Sequence, residues 1–334
     1  MATVTLAQWA QLEKQPLKKG IMLGLAMEGV ILDLLSWRSI GGLSETGIRY
    51  DEVPEPDWIA LDGAINSKAA NGKPISFSVH QLALHIDVPR LLEKKDADVL
   101  ERQSVRQTKL ALKGAAYKVN DAFINGDQSG DPNQFEGLNK LVAQLDSSQT
   151  IGSTEIDLTA SYTDAIAESL FYALDQGIYA TEGHGPTAAF ANSTFLLKME
   201  SIGRQYKLRG DNFDWNSATF DVGDVRSKIS TKASKPAFKY RGVPFFDLGK
   251  KADQTTQIIG NTYTEGGSTA HGTRVFFAKY GEEDLEGIQA EPLDVVDIGI
   301  LENKDVIRKR VLGTLGLACW GPRSITKVQG IRAI

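Results

Sequence analysis

Residues 91–125, LLEKKDADVLERQSVRQTKLALKGAAYKVNDAFIN, carry the strongest structural signal in the chain. The stretch has no proline and one internal glycine, Gly114, so little in it interrupts helical hydrogen bonding. Leu100, Ser104, Thr108, Ala111, Ala115, Val119 and Phe123 recur at steps of three or four and share one face. Lys94, Lys95, Arg102, Arg106, Lys109, Lys113 and Lys118 are spread around the rest. At ~1.5 Å per residue the helix runs to about 50 Å, longer than most globular domains need. The stretch predicts a structural spine.

Upstream of it, residues 46–89 predict a long hairpin. Its first limb (Ile48, Tyr50, Val53) meets Pro54 and Pro56, which suit an exposed edge. Residues 61–74 hold Gly63, Asn71-Gly72 and Pro74, dense turn chemistry. The returning limb alternates Ile75, Phe77 and Val79, then changes phase to Leu82, Leu84, Ile86 and Val88. Such a change predicts a bulge or twist where the strand exchanges one neighbour for another. A hairpin with so little apolar surface needs support from outside itself, another subunit included. Farther upstream, after a short polar helix broken near Pro16, Leu23, Met27, Val30, Leu34 and Trp37 form one helical face. Glu28 and Asp33 interrupt residues 21–37, so an amphipathic helix fits better than a signal peptide or a membrane span. Gly41-Gly42 is its predicted stop.

Downstream, residues 126–279 mix element types. A turn (126–132), a helix (162–176) and a buried strand (187–191) come first. A helix over 193–202 follows, capped by Asn192 or Ser193. Then come a polar stretch (207–217), a strand (243–246), glycine-rich loops (260–272) and a strand (274–278). Residues 280–334 predict strands, with 306–312 and 316–320 the strongest. The fold class is α+β. Without regular βαβ alternation, a Rossmann or barrel architecture is disfavoured.

The 334 residues suffice for two or more packed units, and 42% hydrophobic with 24% charged is ordinary for a globular chain. With 37 basic against 42 acidic residues the net charge is −5, which excludes a global basic footprint for gripping nucleic acid. Cys319 is the lone cysteine and sits in an apolar run, which predicts a buried thiol in a reducing compartment.

Few residues in the chain are spaced for chemistry. His80, His85, His184 and His271 share no zinc-like spacing, and no nucleophile elbow, H-E-x-x-H, phosphate-binding loop or dinucleotide fingerprint occurs. The expectation is therefore a chain without a catalytic centre and without cofactors. Asn125, Asp127, Ser129, Gly130, Asn133 and Glu136 do occupy positions of a calcium-loop template. Asn in first place, Pro132 inside the loop and a following Gly137-Leu138-Asn139 that does not resemble an exiting helix favour a polar turn closing the spine helix. Asn192-Ser193-Thr194 is a glycosylation sequon, more simply read as a cap. Lys304, Arg308, Lys309 and Arg310 form a basic run, by default a solvated strand face.

Five stretches, in order, resemble the major capsid proteins of tailed bacteriophages, the Hong Kong 97-type fold. They are residues 122–127 (AFINGD) with 135–139 (FEGLN), 240–245 (YRGVPF), 274–278 (RVFFA), 281–289 (GEEDLEGIQ) and 316–325 (GLACWGPRSI). The resemblance implies an N-terminal arm over 1–45 and an extended E-loop over 46–90. It implies a peripheral P-domain over 91–138 and 279–318, and an axial A-domain over 139–278 and 319–334. It further implies hexamers and pentamers in an icosahedral virion shell assembled in the host cytoplasm, with a separate scaffold protein or none. Portal and decoration proteins would be its partners. Double-stranded DNA would touch the inner wall weakly and without sequence preference, and no membrane is involved. Some relatives cross-link an E-loop lysine to a neighbour; Lys68 and Lys73 hold corresponding places, and a noncovalent shell is the expectation. Encapsulins share the fold, so a cargo-holding nanocompartment is the structural alternative; a soluble hydrolase is the non-structural one.

The E-loop also concentrates acid: Asp51, Glu52, Glu55, Asp57 and Asp62. Since the family's E-loop lies over a neighbour's P-domain, intersubunit ion pairs are expected. Asp51, Glu52 or Glu55 would meet Arg102, Arg106, Arg308 or Arg310.

Overall fold

The structure, a computed structural model, describes residues 29–333 apart from 62, 91–96, 153–154, 160–162, 182–184, 207–212, 215–235 and 266–270. The side chains of 51, 97–102 and 213–214 are also outside the description. Most of the predicted N-terminal arm, His184 and nearly all of the polar stretch 207–217 therefore lie outside the described residues.

The spine is helix α2, Ala97–Asn125. Helix α1, Val30–Leu34, packs against it through Ile31 and Leu34, and the α2 face carrying Leu112, Ala116, Val119 and Phe123 is buried. Its end is set by two glycines. The Gly126 N–H donates to the Ala122 carbonyl, and the Gly137 N–H donates to the Gly126 carbonyl. A Cβ on Gly126 would stand 2.2 Å from the Phe135 carbonyl oxygen, and one on Gly137 2.5 Å from that of Ala122. The chain folds back on itself there more tightly than any side chain permits. It does so into a short helix, α3 (Leu138–Ala143). Residues 137–139 do not resemble an exiting helix in sequence, yet Leu138, Leu141 and Val142, buried beside α2, supply the stripe that makes one.

Three sheets follow from the strands. The upstream region corrects the predicted helix over 21–37, since α1 ends at Leu34 and β1, Trp37–Ser39, runs parallel to β12, Leu285–Ile300. Trp37 belongs to a strand, where its ring covers Gly287, and Gly41-Gly42 lies in a bend beyond it. The predicted hairpin also divides. Strands β2 (Ser44–Glu52) and β3 (Asn71–Ser78) pair with each other, whereas β4 (His80–Pro89) leaves them at Val79. It pairs instead with β13, Val306–Cys319, along ten residues. The phase change in the sequence marks this exchange of neighbours. β13 is one strand where two had been predicted, giving a four-stranded sheet in the order β1-β12-β13-β4.

The eight-stranded sheet is built from β5 (Thr150–Ile151), β6 (Ile156–Asp157), β7 (Ala188–Ala191), β8 (Phe213–Asp214), β9 (Phe238–Tyr240), β10 (Val243–Asp247), β11 (Gly272–Ala278) and β14 (Ile325–Arg332). Both faces of its centre are covered. Phe190, Phe246 and Phe276 join the core that includes α2, while Ala189, Phe245 and Phe277 face α4 (Asp164–Ala180) and α5 (Ser193–Gln205). Alternate residues entering two cores explain why β7 and the second half of β11, residues 275–278, are apolar without alternation. Each large side chain buried this way contributes about 1.5–3 kcal/mol. No helix among the described residues is long and apolar enough to cross a membrane.

Candidate subunit-contact surfaces

The β2–β3 hairpin is held at its root and bare along its length. At the root, the Arg38 guanidinium forks between two carboxylates. Its Nη1 and Nη2 donate to Glu45 at 2.9 and 2.6 Å, and its Nη2 and Nε donate to Glu286 at 2.6 and 3.1 Å. Glu286 is 1% exposed and also accepts from Trp320 Nε1 at 2.7 Å. Bonding to Glu286, then to Glu45, holds Arg38 protonated well beyond its ordinary range. Trp320 meets Phe77 edge-on at 5.2 Å and lies over Gly47, where a Cβ would stand 2.4 Å from the ring. Arg49 donates to the Gln144 carbonyl at 3.1 Å. Bonds from β1, β12, the end of β13 and α3 thus set the angle at which the hairpin leaves the body.

Beyond that root, apolar side chains stand in solvent. Val53, Trp58, Leu61 and Ile65 are 84–106% exposed, and Leu43, Ile48 and Tyr50 are more than half exposed. The described residues of 53–70 form no strand. Ile48, Tyr50 and Val53 stand out in the sequence as strand residues, whereas Trp58, Leu61 and Ile65 lie among prolines, glycines and acids that mask them. Their signal was apolar residues without any period inside a turn-rich tip.

The acidic and basic residues singled out above separate into groups. Glu52 and Glu55 are exposed, Asp57 pairs with Lys68 at 2.6 Å inside the same loop, and Lys73 sits in β3 opposite Arg49. Arg106 is exposed on α2; the side chains of Asp51 and Arg102 lie outside the described residues. Arg308 is engaged within its own chain, donating through Nε and Nη2 to Asp87 at 2.6 Å each. That pairing holds the Asp87 carboxyl below the usual carboxylate range. Arg310 Nε donates to His85 Nε2 at 2.9 Å. The run on β13 is therefore partly spent on β4.

Four of the calcium-template residues make contacts within the chain. Asn125 donates to Asp121 Oδ1 and to the Ile258 carbonyl, both at 2.8 Å. Asp127 pairs with Lys140 at 2.9 Å and accepts from the Ser129 N–H, which together hold its carboxyl low. Glu136 accepts from Gln144, and Ser129 contributes its N–H. His80 meets the Ser78 hydroxyl at 2.9 Å and the Gln128 amide nitrogen at 2.8 Å, at the point where β4 leaves the hairpin. Asn192 of the sequon is 2% exposed, caps α5 by accepting from the Thr194 N–H, and donates to the Ile259 carbonyl.

A projecting hairpin, a long spine helix, a four-stranded sheet and a larger mixed sheet together are the Hong Kong 97-type capsid fold of tailed phages. A chain of Mycobacterium phage Cain superposes with a TM-score of 0.57 at 11% identity, covering 98% of each chain. The capsid of an empty GTA particle gives 0.56 at 13% identity, over 90% of this chain and 89% of that one. The holo-SrpI encapsulin complex of Synechococcus elongatus PCC 7942 gives 0.56 at 12%, over 91% and 87%. No family model matches the sequence, and no curated protein matches it.

Proposed function

We propose that the chain is the major capsid protein of a tailed bacteriophage, assembling as hexamers and pentamers into an icosahedral head around double-stranded DNA. One observation carries this: a hairpin fixed at its root by Arg38, Glu286 and Trp320 offers Val53, Trp58, Leu61 and Ile65 to solvent. Covering those four side chains would contribute roughly 6–12 kcal/mol per subunit before ordering costs. A second copy is the partner that repeats this gain in every subunit. The chain has no catalytic role and needs no cofactor. Scaffold, portal and decoration proteins are its other partners, and the virion, assembled in the host cytoplasm, is its location.

The encapsulin among the structural neighbours supports a second reading, a nanocompartment shell. The resemblance of residues 316–325 to phage sequences favours the virion. Contents decide between them. Particles purified from the natural source should hold nuclease-protected double-stranded DNA; a packaged enzyme without DNA would select the nanocompartment. Isolated subunits should bind DNA weakly, with affinity falling steeply as salt rises. Tight, sequence-selective binding would overturn that part.

A further inference from the structure

A cavity of about 620 Å³ opens along the outer stripe of α4. Asp164, Glu168, Phe171 and Asp175 follow one another at helical steps on that stripe, with Tyr172 beside them and the small Ala167 among them. Tyr206, just past the end of α5, completes the lining. Acid therefore stands toward both ends of the groove, with the rings of Phe171 and Tyr172 between. Asp164 and Asp175 are about 16 Å apart along the helix axis at ~1.5 Å per residue.

The three carboxylates are unequally engaged. Asp164 meets the Tyr206 hydroxyl, a neutral partner. Asp175 accepts from Tyr240 at 2.6 Å and lies 3.3 Å from Arg241 Nε, both through Oδ1. Glu168 is exposed and has no ion pair among the described residues. No lysine or arginine lines the cavity, so Arg241 beside it answers a single acid. Arg241 also shows how this helix takes a cation: its guanidinium sits by Asp175 and 5.7 Å over the ring of Tyr179, one turn along. A lysine or arginine side chain carries charge at one end only. A groove with acid toward both ends and rings between suits a molecule charged at both ends, whose methylenes lie on the rings.

We propose that the α4 groove binds a linear polyamine, its ammonium groups at Asp164 and Glu168 on one side and at Asp175 on the other. The site does not depend on the shell assembly proposed above. Calorimetric titration of the full purified chain with spermidine at low salt tests it, with butylamine as the singly charged control. The expected result is a saturable site, filled once per chain, whose affinity falls as salt rises. Butylamine should bind about tenfold more weakly, because it answers acid at one end only. Glu168→Gln and Tyr172→Ala change exposed side chains and leave the cores intact; each should weaken spermidine about three- to fivefold. Uptake of several spermidines per chain that neither substitution alters would be general attraction to an acidic protein and would overturn the inference. Butylamine binding as tightly as spermidine would overturn it too. An oligolysine binding more tightly than spermidine would assign the groove to a protein partner, with the same consequence.

Discussion

Arg38 shows how much the hairpin depends on single residues. Replacing it with alanine leaves Glu286, 1% exposed, with only Trp320 as a donor. Orphaning a buried charge costs about 3–5 kcal/mol, and the lower end applies because Arg38 is itself part-exposed. Arg38→Met with Glu286→Gln should recover most of the loss in urea unfolding, since the buried site then holds no charge and only the part-exposed Glu45 stays ionised. Gly47→Leu should cost about 1–3 kcal/mol by forcing the Trp320 ring aside. Cys319 supplies a pH test. Its folded-state pKa is raised from 9.0 to about 12 by burial, so its stability contribution is fully present below pH 9. It declines as the pH rises from there toward the folded value, because the unfolded thiol ionises first. An Ellman assay should find no reactive thiol in the native chain and one after denaturation; prompt native labelling would contradict the burial.

At the scale of elements, the hairpin is separable from the cores. Strand β3 begins at Asn71, so the deletable tip is 54–70. Replacing it with a two-residue turn should leave thermal unfolding almost unchanged and abolish assembly. The ion pairs expected between E-loop and P-domain are narrowed by the structure. Arg308 already holds Asp87, so reversing it would damage the sheet as well as any interface. Glu52→Lys with Glu55→Lys should weaken assembly, and Arg106→Glu should partly restore it. Equal stability of the reversed shell across a salt titration would leave apolar contacts as the sole hold. The spine and the change of phase at Val79 were legible because both are written in local periodicity. The union of β4 with β13, more than two hundred residues apart, was not, because period two names a buried face and not a partner. Trp37 and Leu138 show the same limit. A short apolar run fits helix or strand equally, and Gly287 or α2 decided which. The root contact of Arg38 with Glu286 was invisible for the same reason, while the exposed Trp58 and Leu61 were legible and passed over.

At the scale of the molecule, the surfaces left bare are the ones a second copy would cover. The central claim is that the hairpin is completed by a neighbouring subunit. Electron microscopy of the purified, concentrated chain tests it most directly. The expected result is closed shells of five- and six-membered rings in which residues 53–70 lie across the adjacent subunit. A chain that stays monomeric, with β2 and β3 ordered and Trp58 in solvent, would contradict it.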